Sequence, residues 1–393
     1  MRRVERRRIS LSKVDLIMAG QIYLLFTSDY ELYFGENYLS EREVLIEPTE
    51  HILDAFEEEG IPMTLFADVA SVWRYQSLKV KSDYALLFED QLQRAIRNGH
   101  DVQLHLHPHW MTSTFDGERW EMDEFNYKLS DLGYGGRRIQ SLESADELII
   151  RGKEYLERLL HPTDPFYQCI AFRAGGYGIQ PNDKELVSAL LSAGFKIDSS
   201  IVPGMFFKSN VNEIDFRRIP SQINYKMGTR YGIYKEDNQG IFEIPIVTYS
   251  ESFFEALIHR LGVLKQSVFH IRKKRYPFKN ELCPRGKAIQ KNGIIKQFLS
   301  LALRPSLFLL EFTGPHVEVK RMIAGTARLI DSKLKESSDI YISASCHPKN
   351  VFSPTIQAMG EFWKTMVRFY GKNIKAITFR DAAKNLEKIV CHR

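Results

Sequence analysis

The chain has 393 residues, 44% of them hydrophobic and 12% aromatic, which is enough to bury a large core and excludes a globally disordered polypeptide. Its net charge is only +5, so the chain as a whole carries no strong bias towards an acidic partner, and no nucleic-acid partner is expected. Four scattered cysteines, Cys169, Cys283, Cys346 and Cys391, lack the spacing of a disulfide framework or a cysteine metal site and fit free thiols in a reducing compartment.

In chain order, residues 1–20 form a basic arm with no apolar stretch of signal-peptide length behind it. A buried strand is expected over 21–28. Thr49 is expected to cap a helix whose Ile52, Leu53 and Phe56 share a face, with Gly60 stopping it. A second strand follows over 62–67. The next helix begins near Asp83, with Leu86, Leu87, Leu92 and Ile96 facing inward and Gly99 beyond its end. Further strands are expected over 101–107, 168–173, 195–199, 241–247, 340–345 and 374–379, mostly separated by helical patterns. Repeated βα units with short apolar strands imply an α/β fold on a parallel sheet, and this many of them imply a barrel. Residues 21–390 read as one domain of this kind.

Two intervals break the βα spacing. Residues 108–140 are rich in aromatics, including Trp110, Phe115, Trp120, Phe125 and Tyr127; they would emerge beside a histidine cluster as a substrate-covering loop or pack on themselves. An insertion of about 250–315 is partly helical by pattern, and its portion 260–304 carries 12 Lys and Arg against the single acid Glu281. An amphipathic basic stretch such as 253–304 is of a kind that lies on an anionic membrane surface or binds phosphates, although a solvated basic face has the same pattern. Residues 294–312 are interrupted by Lys296, Arg304 and Pro305 and do not read as a membrane span. The expected location is cytoplasmic, with the basic segment allowing peripheral membrane contact.

The chemistry should lie at the carboxyl ends of the strands. The run from Gly99 to Trp110 holds His100, His105, His107 and His109, four of the 11 histidines, and neutral imidazole is the commonest ligand for a borderline metal ion. Strand alternation pairs His105 with His107, whereas a turn at Pro108 would bring His109 beside His105. His100, at the opposite end of the strand, reads as structural. Asp29 and Glu31 share a face at the end of the first strand and can divide the work of general base and metal ligand. Arg173 ends a later strand before Gly175 and Gly176, where it can hold a carboxylate ionised. His347, at the end of a late strand, is a general-acid candidate.

These residues resemble the motifs of the polysaccharide deacetylases of carbohydrate esterase family four, and more closely the branch found in polysaccharide-biosynthesis loci. The resemblance spans about 20–385. Thr27-Ser28-Asp29-Tyr30-Glu31 overlays the first motif, with Asp29 as base and the metal carboxylate displaced to Glu31. Gly99-His100-Asp101-Val102-Gln103-Leu104-His105 through His109 overlays the second, which implies His105 and His109 as ligands. Arg173, Asp198 and His347 match the third, fourth and fifth. The resemblance implies a distorted (β/α)7 barrel of the deacetylase type with a basic, partly helical insertion. It implies a divalent metal, zinc by default, and hydrolysis of an N-acetyl or, less simply, an O-acetyl group on a glycan or lipid-linked sugar. Asp198 would tune His347, which would protonate the departing amine. The same barrel also serves deformylases, cyclic-amide hydrolases that in part need no metal, and silent sugar-binding relatives.

Overall fold

The computed structural model describes residues 20–33, 39–81, 83–122, 126–139, 142–250, 307–315, 317–334 and 339–391. The expected basic arm at 1–20 (apart from Gly20) and the basic segment 253–304 lie outside them. The elements that build the site are β1 (Ile22–Tyr30), α1 (Glu47–Glu58), β2 (Met63–Asp68), α2 (Val69–Leu78), α3 (Asp83–Arg97), β3 (Asp101–Leu106), α4 (Ala145–Leu160), β4 (Ala171–Ala174), α5 (Asp183–Ser192), β5 (Ile197–Asp198), β6 (Ile241–Glu243), β7 (Glu311–Phe312), α6 (Val319–Lys333), β8 (Ile340–Cys346), α7 (Ser353–Tyr370), β9 (Ile374–Ala376) and α8 (Phe379–Cys391).

The chain is an α/β protein with a parallel central sheet. β6, β5, β4, β3, β2, β1 and β8 follow one another side by side, every pair parallel, with β7 beside β8 and β9 beside β1. Beyond β6 the ladder turns back: Ile246 bridges Ser343 in parallel, and the Val247 amide donates to the Ser343 carbonyl at 3.1 Å. Backbone contacts therefore run from β6 round to β8. An antiparallel hairpin, Tyr225–Gly228 with Gly232–Glu236, extends the sheet at β6.

Both faces of the strands are buried, which is why their sequences read as near-continuous apolar runs rather than alternating ones. One face packs on α1 to α7 in the larger core. The other forms a smaller core of Leu25, Phe66, Ala171, Ile197, Ile244 and Tyr341, to which Phe379, Ala382 and Ala383 of α8 are added. Two residues further along each strand, that same inner face turns polar: Thr27 and Asp29, Asp68, His105, Arg173, Ser199, Ser343 and Ser345, all buried. The fold thus has an apolar base under α8 and a polar mouth at the carboxyl ends of its strands.

Two expectations change. Thr49 lies inside α1 rather than capping it, because the helix opens at Glu47 with Pro48 in its first turn, continuing a preceding turn over Arg42–Ile46. Leu86 is 69% exposed; the buried stripe of α3 is Tyr84, Phe88, Leu92, Ala95 and Ile96, a helical spacing that leaves Leu86 on the far side. In the 108–140 interval, Trp110 is fully buried between Tyr75 of α2 and Trp120, and Trp120 Nε1 donates to Tyr75 Oη at 2.8 Å. Cys169 and Cys346 are buried free thiols.

Candidate active site

Arg173 sits at the centre of the mouth with no exposed surface. Its Nη1 donates to Thr27 Oγ1 at 3.0 Å and to Asp29 Oδ1 in a close ion pair. Nη2 donates to Ser199 Oγ at 2.9 Å and Ser343 Oγ at 3.3 Å, and Nε donates to the Ser199 carbonyl at 3.1 Å. The guanidinium lies 4.1 Å over the Phe66 ring. All five N–H donors are placed by β1, β8 and the residue after β5, so the side chain has one orientation. Burial alone would raise the Asp29 carboxyl, but Arg173, with His347 and His105 behind it, outweighs that and holds it below its ordinary value.

Beside this pair stands a set of three buried ligating groups, Glu31, His105 and His107, whose donor atoms lie within 4.8 Å of one another. Glu31 Oε2 is 3.1 Å from His105 Nε2 and 2.5 Å from His107 Nε2. The two imidazole Nε2 atoms are 3.1 Å apart. His105 Nδ1 is 2.8 Å from the Arg173 carbonyl, an acceptor only, so the proton belongs on Nδ1 and the Nε2 lone pair faces inward. Two imidazole nitrogens and one carboxylate oxygen, converging and buried, are a donor set that suits a divalent ion of the zinc type. Lys349 approaches from the other side, its Nζ donating to Glu31 Oε1 at 2.7 Å and to the Leu32 carbonyl at 3.0 Å. Burial would raise Glu31, yet Lys349 and His107 bring its carboxyl well below the ordinary value.

His347 completes the rim. Its Nε2 is 3.5 Å from both Asp29 Oδ2 and Glu31 Oε1, and its Nδ1 is 3.0 Å from Glu311 Oε1. Burial disfavours the imidazolium, but Glu311 and Asp29 reverse this and raise His347 above its ordinary value.

The structure therefore brings Asp29, Glu31, His105, Arg173 and His347 together, and it does not bring His109 or Asp198 with them. His107 takes the place next to His105 because β3 stays extended to Leu106, so period-two alternation puts residues 105 and 107 on one face. His109 falls in the short turn Pro108–Met111, stacked on Tyr127 with ring centroids 5.6 Å apart, and burial with His107 nearby pushes its pKa down to about 3. Asp198 alternates with the inward Ile197 and Ser199 and so faces the outer core. There it accepts from the Ser200 amide and hydroxyl, both at 2.9 Å, and bonds to Glu243. The carboxylate on His347 is Glu311. His100 is structural, its Nδ1 accepting from the Met63 amide at 3.1 Å.

Three site residues were not singled out by the sequence reading. Glu311 lies near the carboxyl end of the 250–315 insertion, far from any motif. Lys349 lies in the short turn Pro348–Asn350 that follows His347. Asp68 ends β2 with no exposed surface; its Oδ1 accepts from the His107 amide at 3.1 Å, and its Oδ2 has no hydrogen-bond partner among the described residues. Its one visible signal is a lone acid at the carboxyl end of an apolar strand.

Fold and site together define an α/β protein whose parallel strands end in a buried carboxylate–imidazole cluster. No family model and no curated relative matches the chain. Solved structures with a similar arrangement include a candidate polysaccharide deacetylase from Mycobacterium smegmatis, at 12% identity, TM-score 0.45, covering 94% of this chain and 91% of that one. Puue allantoinase aligns at 12% identity and TM-score 0.45 over 93% and 90% of the two chains. A candidate polysaccharide deacetylase from Pseudomonas aeruginosa PAO1 aligns at 12% identity and TM-score 0.43 over 94% and 92%.

Proposed function

We propose that this protein is a metal-dependent hydrolase that removes an acyl group, foremost an N-acetyl group, from a sugar of a polysaccharide or its precursor. The observation that carries the reading is the junction of an Arg173-held Asp29, a Glu31–His105–His107 donor set and a Glu311-backed His347 in one mouth. The chemistry supplied by a divalent ion in that donor set, zinc first, is polarisation of the acyl carbonyl and a lower pKa for water. Asp29, kept ionised by Arg173, takes the proton from the water as its oxygen bonds to the carbonyl carbon. His347 gives its Nε2 proton to the sugar nitrogen as the carbon–nitrogen bond breaks, leaving acetate and a free amine. The 3.5 Å between His347 Nε2 and Asp29 Oδ2 lets the proton gathered by Asp29 return to His347 for the next turnover.

The test is metal content by elemental mass spectrometry beside acetate release from N-acetylglucosamine oligomers after zinc loading. Wild type is expected to hold an ion and release acetate. Asp29→Asn keeps the ion and loses turnover by roughly 10²- to 10⁴-fold. His105→Ala and His107→Ala lose both, and His109→Ala keeps the ion. Near-normal turnover in Asp29→Asn would sink the assignment. A second reading, a cyclic-amide hydrolase working without metal, draws on Lys349, whose ammonium already supplies a positive charge at Glu31. Wild type that turns over fully after chelation would favour it.

A further inference from the structure

The charges around the mouth fall into pairs, with one exception. Arg173 answers Asp29, and Lys349 answers Glu31. Glu311 faces His347. Asp68 is as deeply buried as any of them, yet among the described residues no Lys or Arg comes within ion-pair distance of it. Its Oδ1 is used by the His107 amide. Its Oδ2, fully enclosed, receives no donor. A buried carboxylate oxygen without a donor or a cation costs several kcal/mol by typical values for buried ions, so such a group takes up either a proton or a cation.

Asp68 lies next to the donor set in two ways. β2 pairs with β3 so that Asp68 stands opposite His105, and its hydrogen bond to the His107 amide fixes the backbone that aims the second imidazole. The charge count then decides what the site lacks. With Glu31 shared by Lys349, two neutral imidazoles and one neutralised carboxylate would hold a doubly charged ion with little net negative charge.

Building on the metal-dependent reading above, we propose that Asp68 is a second carboxylate beside the cation site, next to the Glu31–His105–His107 donor set rather than part of it. It supplies through Oδ2 the negative charge that Lys349 withdraws from Glu31, and it holds His107 in line through Oδ1. Asp68 is thus a positioning and charge-balancing residue for the ion.

The experiment is calorimetric titration of the chelator-stripped full-length protein with zinc chloride, repeated with cobalt(II) chloride followed by its visible absorption. Asp68→Asn keeps an acceptor for the His107 amide and the shape of the side chain while removing the charge. It is expected to bind zinc roughly 10- to 100-fold more weakly, the range for groups supporting metal ligands, with an unchanged melting temperature in chelator. Asp68→Glu, which keeps the charge, is expected to bind within a few-fold of wild type, of the order expected for a retained support. Equal zinc affinity in Asp68→Asn and wild type would overturn the proposal, and so would equal weakening in both variants, since that would mean packing rather than charge. Wild type that takes up neither ion would overturn the metal-dependent reading itself, and this proposal with it.

Discussion

Glu31 answers to two kinds of partner at once: an ammonium on Oε1 and two imidazoles on Oε2. Its neighbour His347 is governed in the same manner by Glu311, and the consequence can be measured. A charge on Glu311 favours the imidazolium, so His347 keeps its proton above its ordinary value of 6.5. In the general-acid role we propose for it, His347 must be protonated, so activity should fall as pH rises through that raised value. In Glu311→Gln the alkaline limb should move to lower pH, and activity at neutral pH should drop by roughly tenfold or more, the range for a weakened proton donor. A pH–rate profile with an unmoved alkaline limb would show that Glu311 does not govern His347. At this scale the sequence displayed Asp29, Glu31, His105, Arg173 and His347, because each ends a recognisable strand. It left His107 and His109 open on geometry, and motif overlay leaned to His109, whereas strand alternation alone points to His107. Glu311 and Asp68 could not be seen, since their meaning depends on which strands lie side by side.

At the scale of elements, the end of β3 against the turn after β4 sets the donor geometry. A Cβ on Gly175 would lie 2.5 Å from the Leu106 carbonyl oxygen and 2.6 Å from His107 Cγ. Both are closer than packed atoms allow, and the imidazole is the part free to move. Gly175→Ala should therefore push His107 out of line and weaken zinc binding by about tenfold or more, as loss of ligand support does. Calorimetry alongside circular dichroism would check that the fold survives. The same alternation that made β3 legible explains the misreading at β5. Ser199 and Ile197 are the inward residues, and a motif match at Asp198 carries no information about which face it takes. In α3, the helical stripe was visible but its phase was set by Tyr84 and Phe88, aromatics that outbid Leu86 for the interior.

Across the whole molecule, alternating apolar strands and helices announced an α/β fold, and the parallel order follows from it. What the pattern did not contain was the outer buried carboxyl pair, Asp198 and Glu243, register partners on β5 and β6. Burial first, and then their mutual charge, push Glu243 well above its ordinary value; burial also raises Asp198. The folded protein thus keeps a proton that the unfolded chain would release, so this contribution is complete below the ordinary carboxyl range and is lost as pH rises through the raised values. Each unit of such a shift is worth about 1.4 kcal/mol. Glu243→Gln cannot ionise and can still bond to Asp198, so its melting temperature should decline less than that of wild type as pH goes from about 5 to about 8. Parallel decline in the two proteins would count against a shared proton.

One last feature concerns the neck from which the basic segment departs. Thr248–Ser250 and Leu307–Leu309 form a two-stranded antiparallel pair, with Ser250 opposite Leu307. The polypeptide that leaves at one strand returns beside it, one strand spacing away. Loop-closure entropy grows only with the logarithm of length, so lengthening or shortening 251–306 costs the parallel sheet little and leaves its strand register untouched. The neck is a splice point, where the length of chain between two paired strands can change without rebuilding the polar mouth.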